Sequence, residues 1–288
     1  MPLCTLHLLA LHTTTPNPLH TFLSTLKSST LTPLVISRVI RWIILPTQLS
    51  TEHLLARNTR WDLLLILPST DPLPPQLEKL VQHHWSITAG VPSRLLTDFA
   101  AKNTRLLHPE PSSVPAIQQR APSATGSKVP LQQSSQALEL STGLESWIRE
   151  FTQNGEKEAA GAVSMFNLLA FKDGMKAEYL KYGKAFAERV GSRHGGDAKI
   201  VGNVVAASPA AAQSSSSNGV SGDASGDGWD EIALAHYPSI LHFRDMLLSE
   251  EYQDVNKRHR VGSLRDTAIL MTSEVGIAEM TGGGGAKL

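Results

Sequence analysis

Ala162-Val163-Ser164-Met165-Phe166-Asn167-Leu168-Leu169-Ala170-Phe171, with the segment Lys172 to Val190 behind it, decides the fold. The ten residues are an apolar run of strand length. In the segment that follows, Met175, Tyr179, Tyr182, Phe186 and Val190 recur at spacings of four, three, four and four, the stripe of an amphipathic helix. Gly191, Gly195 and Gly196 supply a turn, and Ala198 to Val205 again reads as strand. A Ser/Ala/Gly-rich insert over 206–228 is expected to be a disordered hairpin loop, after which Trp229 to Tyr237 forms a third strand. Pro238 opens a helix carrying Ile240, Leu241, Phe243, Met246 and Leu247, and Arg265 to Thr272 closes the unit. This βαββαβ order is that of a ferredoxin-like sheet.

The same order is legible upstream. Cys4 to Leu11 is a strand, and Pro18 to Leu26 places Leu19, Phe22, Leu23 and Leu26 at helical spacing behind Asn17 as N-cap. Val35 to Leu45 reads as a strand with Val39, Arg41 and Ile43 on one face and Ile40, Trp42 and Ile44 on the other. Trp61 to Leu67, a short helix over Pro74 to Gln82 and a strand over Trp85 to Ala89 complete the unit. The chain thus divides into a ferredoxin-like unit (1–107), a semi-extended Pro/Ser/Gln-rich linker (108–140), a second ferredoxin-like unit (141–275) and a Gly-rich tail (276–288). The second unit opens on Thr142-Gly143-Leu144-Glu145, a capping box, and a helix that buries Leu144, Trp147, Ile148 and Phe151 before stopping at Asn154-Gly155. The fold class is α+β with antiparallel sheets. Helices cover one face of each sheet, so the two remaining faces are expected to cover each other as an intramolecular α/β-barrel pseudo-dimer. Homodimerisation through the second unit is the alternative.

Composition narrows the function classes. The chain has 288 residues, 41% hydrophobic and 18% charged, with 26 basic residues against 26 acidic ones. Zero net charge argues against a footprint for nucleic acid or an anionic membrane surface. The longest apolar runs, such as Leu63 to Leu67, fall far short of the ~20 residues a bilayer span needs. Cys4 is the sole cysteine, which excludes an internal disulfide and fits a reducing compartment. No Gly-x-Ser-x-Gly elbow, phosphate loop, dinucleotide fingerprint or metal-spaced His/Cys set occurs, so neither cofactor nor metal is expected. Haem stays compatible, because one histidine can ligate it.

Four pieces of the second unit carry a resemblance: Met165-Phe166-Asn167-Leu168-Leu169, Tyr179-Leu180-Lys181-Tyr182, His236-Tyr237-Pro238-Ser239 and Ser249-Glu250-Glu251-Tyr252-Gln253. In this order they resemble the domain of unknown function 1330 family of the dimeric α/β-barrel superfamily. The two-domain arrangement resembles proteins of filamentous fungi. The resemblance implies two sheets joined into a barrel, with a pocket between sheet and helices or inside the barrel. Relatives range over cofactor-independent monooxygenases, lactone isomerases and haem enzymes, so the chemistry is left open.

His236 shares a strand face with Ile232 and Leu234, where it is either a general base near neutral pH or a core histidine bonded to backbone. Asn167, in phase with Met165 and Leu169, needs a partner if buried. Tyr179 and Tyr182 are core aromatics or ligand contacts. With His236, these three are expected to line one pocket. Arg193-His194 and Lys257-Arg258-His259-Arg260 either hold a carboxylate or phosphate or, for the run, form a solvated helix end. The function expected is binding, or cofactor-independent conversion, of a small organic acid or aromatic metabolite. A non-catalytic binding or scaffold module is the alternative.

Ala286-Lys287-Leu288 match the small–basic–leucine address that the peroxisomal import receptor reads at a free C-terminus, and Gly282 to Gly285 form a flexible tether before it. The expected location is the peroxisomal matrix, with the cytoplasm as alternative. Deleting Leu288 should leave a stable protein that fluorescence microscopy finds diffuse in the cytosol. A full-length protein already diffuse there would reduce the tripeptide to coincidence.

Overall fold

The computed structural model describes residues 1–56, 58–118, 136–205 and 228–280. Its strands are β1 Leu3–Leu11, β2 Val35–Ile44, β3 Leu63–Leu67, β4 Val81–Gly90, β5 Val163–Phe171, β6 Asp197–Val204, β7 Glu231–Tyr237 and β8 Leu264–Ser273. They hydrogen-bond in the closed order β1-β3-β2-β8-β5-β7-β6-β4, and each ladder is antiparallel. The halves β4-β1-β3-β2 and β8-β5-β7-β6 repeat one ferredoxin-like order. Each half offers its second strand to the other's fourth, β2 to β8 and β6 to β4. The two sheets therefore form one ring, the expected pseudo-dimer.

The ring closes unequally. β2 and β8 pair from Arg38↔Ser273 to Ile44↔Ile269, whereas β4 and β6 meet only at Ala89↔Val204 and Gly90↔Asn203. The side chains inside form one cluster that includes Leu6, Leu8, Trp85, Phe166, Leu234 and Leu270. Burying each such side chain stabilises the fold by roughly 1.5–3 kcal/mol. The other face of β1, through Leu9 and Leu11, packs with Phe22, Leu23 and Leu26 of the helix Pro18–Lys27. Covered on both faces, β1 is buried from Cys4 to Leu11, its polar Thr5 and His7 included.

β8 runs between the two ends of the ring. Near its start, the Asp266 carboxylate accepts from the backbone N–H of Thr47, Gln48 and Leu49 at 2.9–3.2 Å. This pins a loop whose Leu49 packs on the interior cluster with Trp61 and Trp229. Just past the other end of β8, the helix Phe99–Leu107 docks. Its Asn103 donates to Glu274 Oε2 at 2.7 Å and accepts from Lys199 Nζ at 2.9 Å, and Lys199 also donates to Glu274 Oε1. Lys199 is 0% exposed, on the bulge of β6 between Ala198 and Ile200. Lys102 on the same helix reaches Asp197 at 2.7 Å.

Several local expectations are corrected. Asn17 adopts a left-handed conformation and its side chain caps nothing; only its carbonyl receives the Thr21 N–H. The helix Thr142–Gln153 is capped by Ser141, whose hydroxyl accepts from the Leu144 N–H, while Glu145 turns to Arg244 at 2.7 Å instead of closing a box. The expected helix over Pro74 to Gln82 shrinks to Pro75–Glu78 because β4 already begins at Val81. Two bulges in β2 break its alternation, so Val39 and Trp42 pack together on the interior cluster while Ile40 and Ile44 pack on the outer one. The helix Lys176–Ala185 continues through a π turn, Phe186–Val190, into Gly191–Arg193, so the chain turns at Gly195 (φ 69°) rather than at Gly191. The helices Ser93–Leu96 and Phe99–Leu107 were not foreseen.

Residues 136–140, counted with the linker by sequence, pack against both units. Gln136 Nε2 donates to Leu45 O and Thr267 O at 2.9 Å, and Leu138 is buried. The linker core 119–135, the insert 206–227 and the tail 281–288 with its tripeptide Ala286, Lys287 and Leu288 lie outside the described residues.

Removing one partner of a buried ion pair strands the other, which costs about 3–5 kcal/mol. Glu274→Ala should therefore destabilise the protein by that amount in urea denaturation. Lys199→Met combined with Glu274→Leu, which removes both charges, should recover at least half of the loss. Equal loss in the single and double variants would show that packing, not the stranded charge, sets the cost.

Candidate functional site

The ladder between β5 and β7 sets Ser164 opposite His236 and Asn167 opposite Ala233. Phe166, Leu168, Ile232 and Leu234 face the ring interior, and Met165 belongs to the outer cluster under the helices. His236 keeps phase with Ile232 and Leu234 and so points inward, as its strand parity predicts. Asn167 keeps phase with Met165 and points outward. The two stand on opposite faces of one sheet, and the single pocket expected to join His236 with Asn167, Tyr179 and Tyr182 does not form.

His236 is 1% exposed, and its Nδ1 has no hydrogen-bond partner among the described residues. Burial, then the nearby charges of Lys199, Lys102 and His242, push its pKa down to about 3. It is a neutral imidazole at physiological pH rather than a base poised near neutrality. Arg193 lies on the surface in an ion pair with Glu251 at 2.5 Å, apart from both faces' cores. Its neighbour His194 is buried against Asp245 at 3.0 Å.

Asn167, Tyr179 and Tyr182 all stand on the outer face. Tyr179 and Tyr182 come from the helix Lys176–Ala185, Tyr252 from the helix Glu250–Val255, and Tyr237 from the end of β7. The Tyr179 and Tyr182 rings lie 5.4 Å apart, and the Tyr182 and Tyr252 hydroxyls 3.4 Å apart. Among these rings sits Arg260, 1% exposed, on a π turn, Asn256–Val261, that extends the second helix. Its guanidinium donates to Gln136 O and Thr267 Oγ1, both at 3.3 Å, and among the described residues no carboxylate pairs with it. Burial raises the pKa of Tyr179, Tyr182, Tyr237 and Tyr252, and the Arg260 charge opposes that rise at all four. One cation thus faces four phenols.

The expectation of a solvated helix end holds for Lys257 and Arg258, which are exposed and pair with Glu139 and Asp254. It fails for Arg260. The missed signal was the spacing Tyr252, Asn256, Arg260, four residues apart, which puts three polar side chains on the one face that Tyr252 and Val255 bury. The π turns in both helices change their phase locally, and such turns cluster at functional sites.

Asn167, Ala233 and Ala235, on central strands beneath the helices, are only half-buried, as is Tyr182. Asn167 Nδ2 donates to Met165 O at 2.8 Å. At one edge lies Glu231, buried at the start of β7, with Lys176 Nζ 3.9 Å away. Burial raises its pKa to about 7, with Lys176 opposing and Asp230 adding to the shift. Its charge also reaches Tyr179. A fixed cation, phenol donors, aromatic walls and a carboxyl titrating near neutrality suit a small carboxylate with an apolar body. Among the described residues no group of three or more His, Cys, Asp or Glu is arranged to hold a metal ion.

No protein-family profile matches this sequence, and no curated protein matches it. Two solved structures of a protein of unknown function from Rhodopseudomonas palustris, one of them methylated, show 19% and 20% identity and TM-scores of 0.31 and 0.33. Each covers 46% of this chain, and 93% and 91% of its own. A protein proposed to be a monooxygenase, from Lactobacillus acidophilus, shows 6% identity and a TM-score of 0.40 over 94% of this chain and 92% of its own.

His236 makes stability pH-dependent in a defined window. The unfolded chain takes up a proton at this histidine near pH 6.5, whereas the folded one does so near pH 3. The unfolded state therefore binds more protons between these values, and the stability contributed by neutral His236 is intact above pH 6.5 and lost as pH falls towards 3. From pH 7 to pH 5, wild type should lose roughly 2 kcal/mol more than His236→Gln in urea denaturation. Parallel losses would mean that His236 titrates normally in the fold.

Proposed function

We propose that the protein binds a small organic acid with an aromatic or apolar body between the sheet and helices of its second unit, Arg260 holding the carboxylate. One observation carries this: a buried guanidinium whose partners among the described residues, Gln136 O, Thr267 Oγ1 and the Tyr179 hydroxyl, are all neutral, with no carboxylate paired to it. An uncompensated buried cation costs several kcal/mol, and a bound carboxylate removes that cost through a bidentate pair. Tyr179 and Tyr182 supply ring surface and hydroxyls, and Asn167 supplies an amide on the floor.

The lining residues coincide with the family-like pieces of sequence. Asn167 lies in Met165–Leu169 on β5, Tyr179 and Tyr182 in the first helix, and Tyr252 in Ser249–Gln253 on the second. The resemblance of these pieces to the domain of unknown function 1330 family supports reading the second unit as its relative, with the first unit as a partner sheet that lacks these motifs. A second reading, a binding module without turnover, is favoured by the state of His236: facing the ring interior and holding a low pKa, it offers no base to a ligand on the outer face.

Isothermal titration with benzoate tests the proposal. Wild type should bind it saturably, and Arg260→Met at least tenfold more weakly, as loss of a charge-assisted bidentate pair requires. Without ligand, Arg260→Met should be as stable as wild type or more so, because it removes a charge that lacks a partner. Strong destabilisation by Arg260→Met together with no benzoate binding by wild type would make the guanidinium a structural element.

A further inference from the structure

We propose that Glu231 sets the specificity of the Arg260 site, accepting a hydroxyl at the far end of the ligand, so that the site takes hydroxyaryl carboxylic acids. The inference rests on the binding reading above and adds what the second end of the ligand must be.

The outward row of β7 runs Glu231, Ala233, Ala235, Tyr237, every second residue of one strand. Both ends of this row reach the Arg260 set: the charge of Glu231 acts on Tyr179, and that of Arg260 acts on Tyr179 and Tyr237. Between the ends stand two alanines, both half-buried, the smallest side chains that could floor a flat ring. Aromatic walls flank the row on the helix side, with Tyr179 5.0 Å from Phe171 and 5.4 Å from Tyr182. Glu231 and Arg260 do not form an ion pair with each other, although both are buried and of opposite charge. Tyr179, which feels both charges, links the two ends of the row.

The chemistry of the two ends differs, which orients the ligand. Arg260 only donates and takes a carboxylate. Glu231 as a carboxylate only accepts, and a phenol hydroxyl is the donor that an aromatic acid can place opposite it. The groups that face Glu231 are Lys176, at 3.9 Å from the helix above, Asp230 beside it on the chain, and Tyr179. Lys176 is held by Asn203 Oδ1 at 2.6 Å and lies 5.4 Å from the Phe171 ring centre, so its ammonium is fixed at this edge. With Glu231 titrating near pH 7, preference for the hydroxyl strengthens as pH rises and the carboxylate forms.

The test compares 3-phenylpropanoate with 3-(4-hydroxyphenyl)propanoate by isothermal titration, using the full-length protein at pH 6 and pH 8. Wild type should favour the hydroxylated acid at least tenfold at pH 8 and less at pH 6. Glu231→Leu should erase this preference, with circular dichroism and urea denaturation showing that the variant is folded. Glu231→Gln keeps an acceptor oxygen but cannot ionise, so it should retain a preference that no longer changes with pH. Equal binding of the two acids by wild type, or an undiminished preference in Glu231→Leu, would overturn the assignment of Glu231 and leave the Arg260 site standing. No saturable binding of either acid by wild type would overturn both.

Discussion

Mutual burial of two sheet faces is the constraint on which the molecule depends. Each half of the chain folds into a four-stranded antiparallel sheet with helices on one side, and the uncovered side carries residues such as Leu6, Leu8, Phe166 and Leu234 that cannot face water. Facing the two sheets together solves this once for both, and joining their edges closes the ring. The joins are unequal. Where β2 meets β8 the ladder is long; where β4 meets β6 it has two residue pairs. At this short join, the helix that follows β4 adds side-chain bonds to β6: Lys102 to Asp197, and Asn103 to Lys199. Glu274, just past β8, ties the same lysine to the opposite sheet edge.

The pseudo-symmetry of the ring does not extend to its outer faces. Over the first unit, the cover is a helix of ten residues and a single turn, Pro75–Glu78, packed with leucines. Over the second unit, two longer helical segments carry tyrosines, and each ends in a π turn. Phenols can be buried where an apolar side chain would serve equally well for packing, but their hydroxyls need partners. A surface so built costs stability unless something polar occupies it. The functional asymmetry of the two halves is therefore a matter of what covers each sheet, since the sheets share one strand order.

Strand order was legible because apolar runs of strand length alternate with one clear 3.6-residue stripe, and that stripe, Met175 to Val190, fell on a helix as expected. Local detail was less legible for identifiable reasons. The bulges in β2 arise from pairing with β8, more than two hundred residues away, so no local pattern could place Val39 and Trp42 on one face. Ser141 and Thr142 are equivalent caps by residue type, and the winner is set by Arg244 drawing Glu145 away. For the site, parity along β5 and β7 was sufficient to separate Asn167 from His236, since position 167 pairs with 233 and position 164 with 236. The register itself, which converts parity into faces, is a tertiary fact. Arg260 was hidden by its neighbours: a basic run reads as solvated, and only the phase relation to Tyr252 and Asn256 reveals that its last member turns inward.

Two buried cations among the described residues, Lys199 and Arg260, differ in how their charge is met. Lys199 and Arg260 are equally withdrawn from water. Lys199 meets a carboxylate and an amide oxygen, and the amide also donates to the same carboxylate, so the three groups close a cycle in which the charges cancel. Such a cycle orients the elements that supply it, here the helix Phe99–Leu107, β6 and the end of β8, and it has no reason to bind anything else. Arg260 meets a carbonyl, a threonine hydroxyl and the Tyr179 hydroxyl, and its charge is felt by phenols that burial keeps protonated. Neutral partners leave the charge in place. A fold that only needed volume at this position would be more stable with methionine or leucine there, and the proposed carboxylate ligand would give a guanidinium among tyrosines its missing counter-charge.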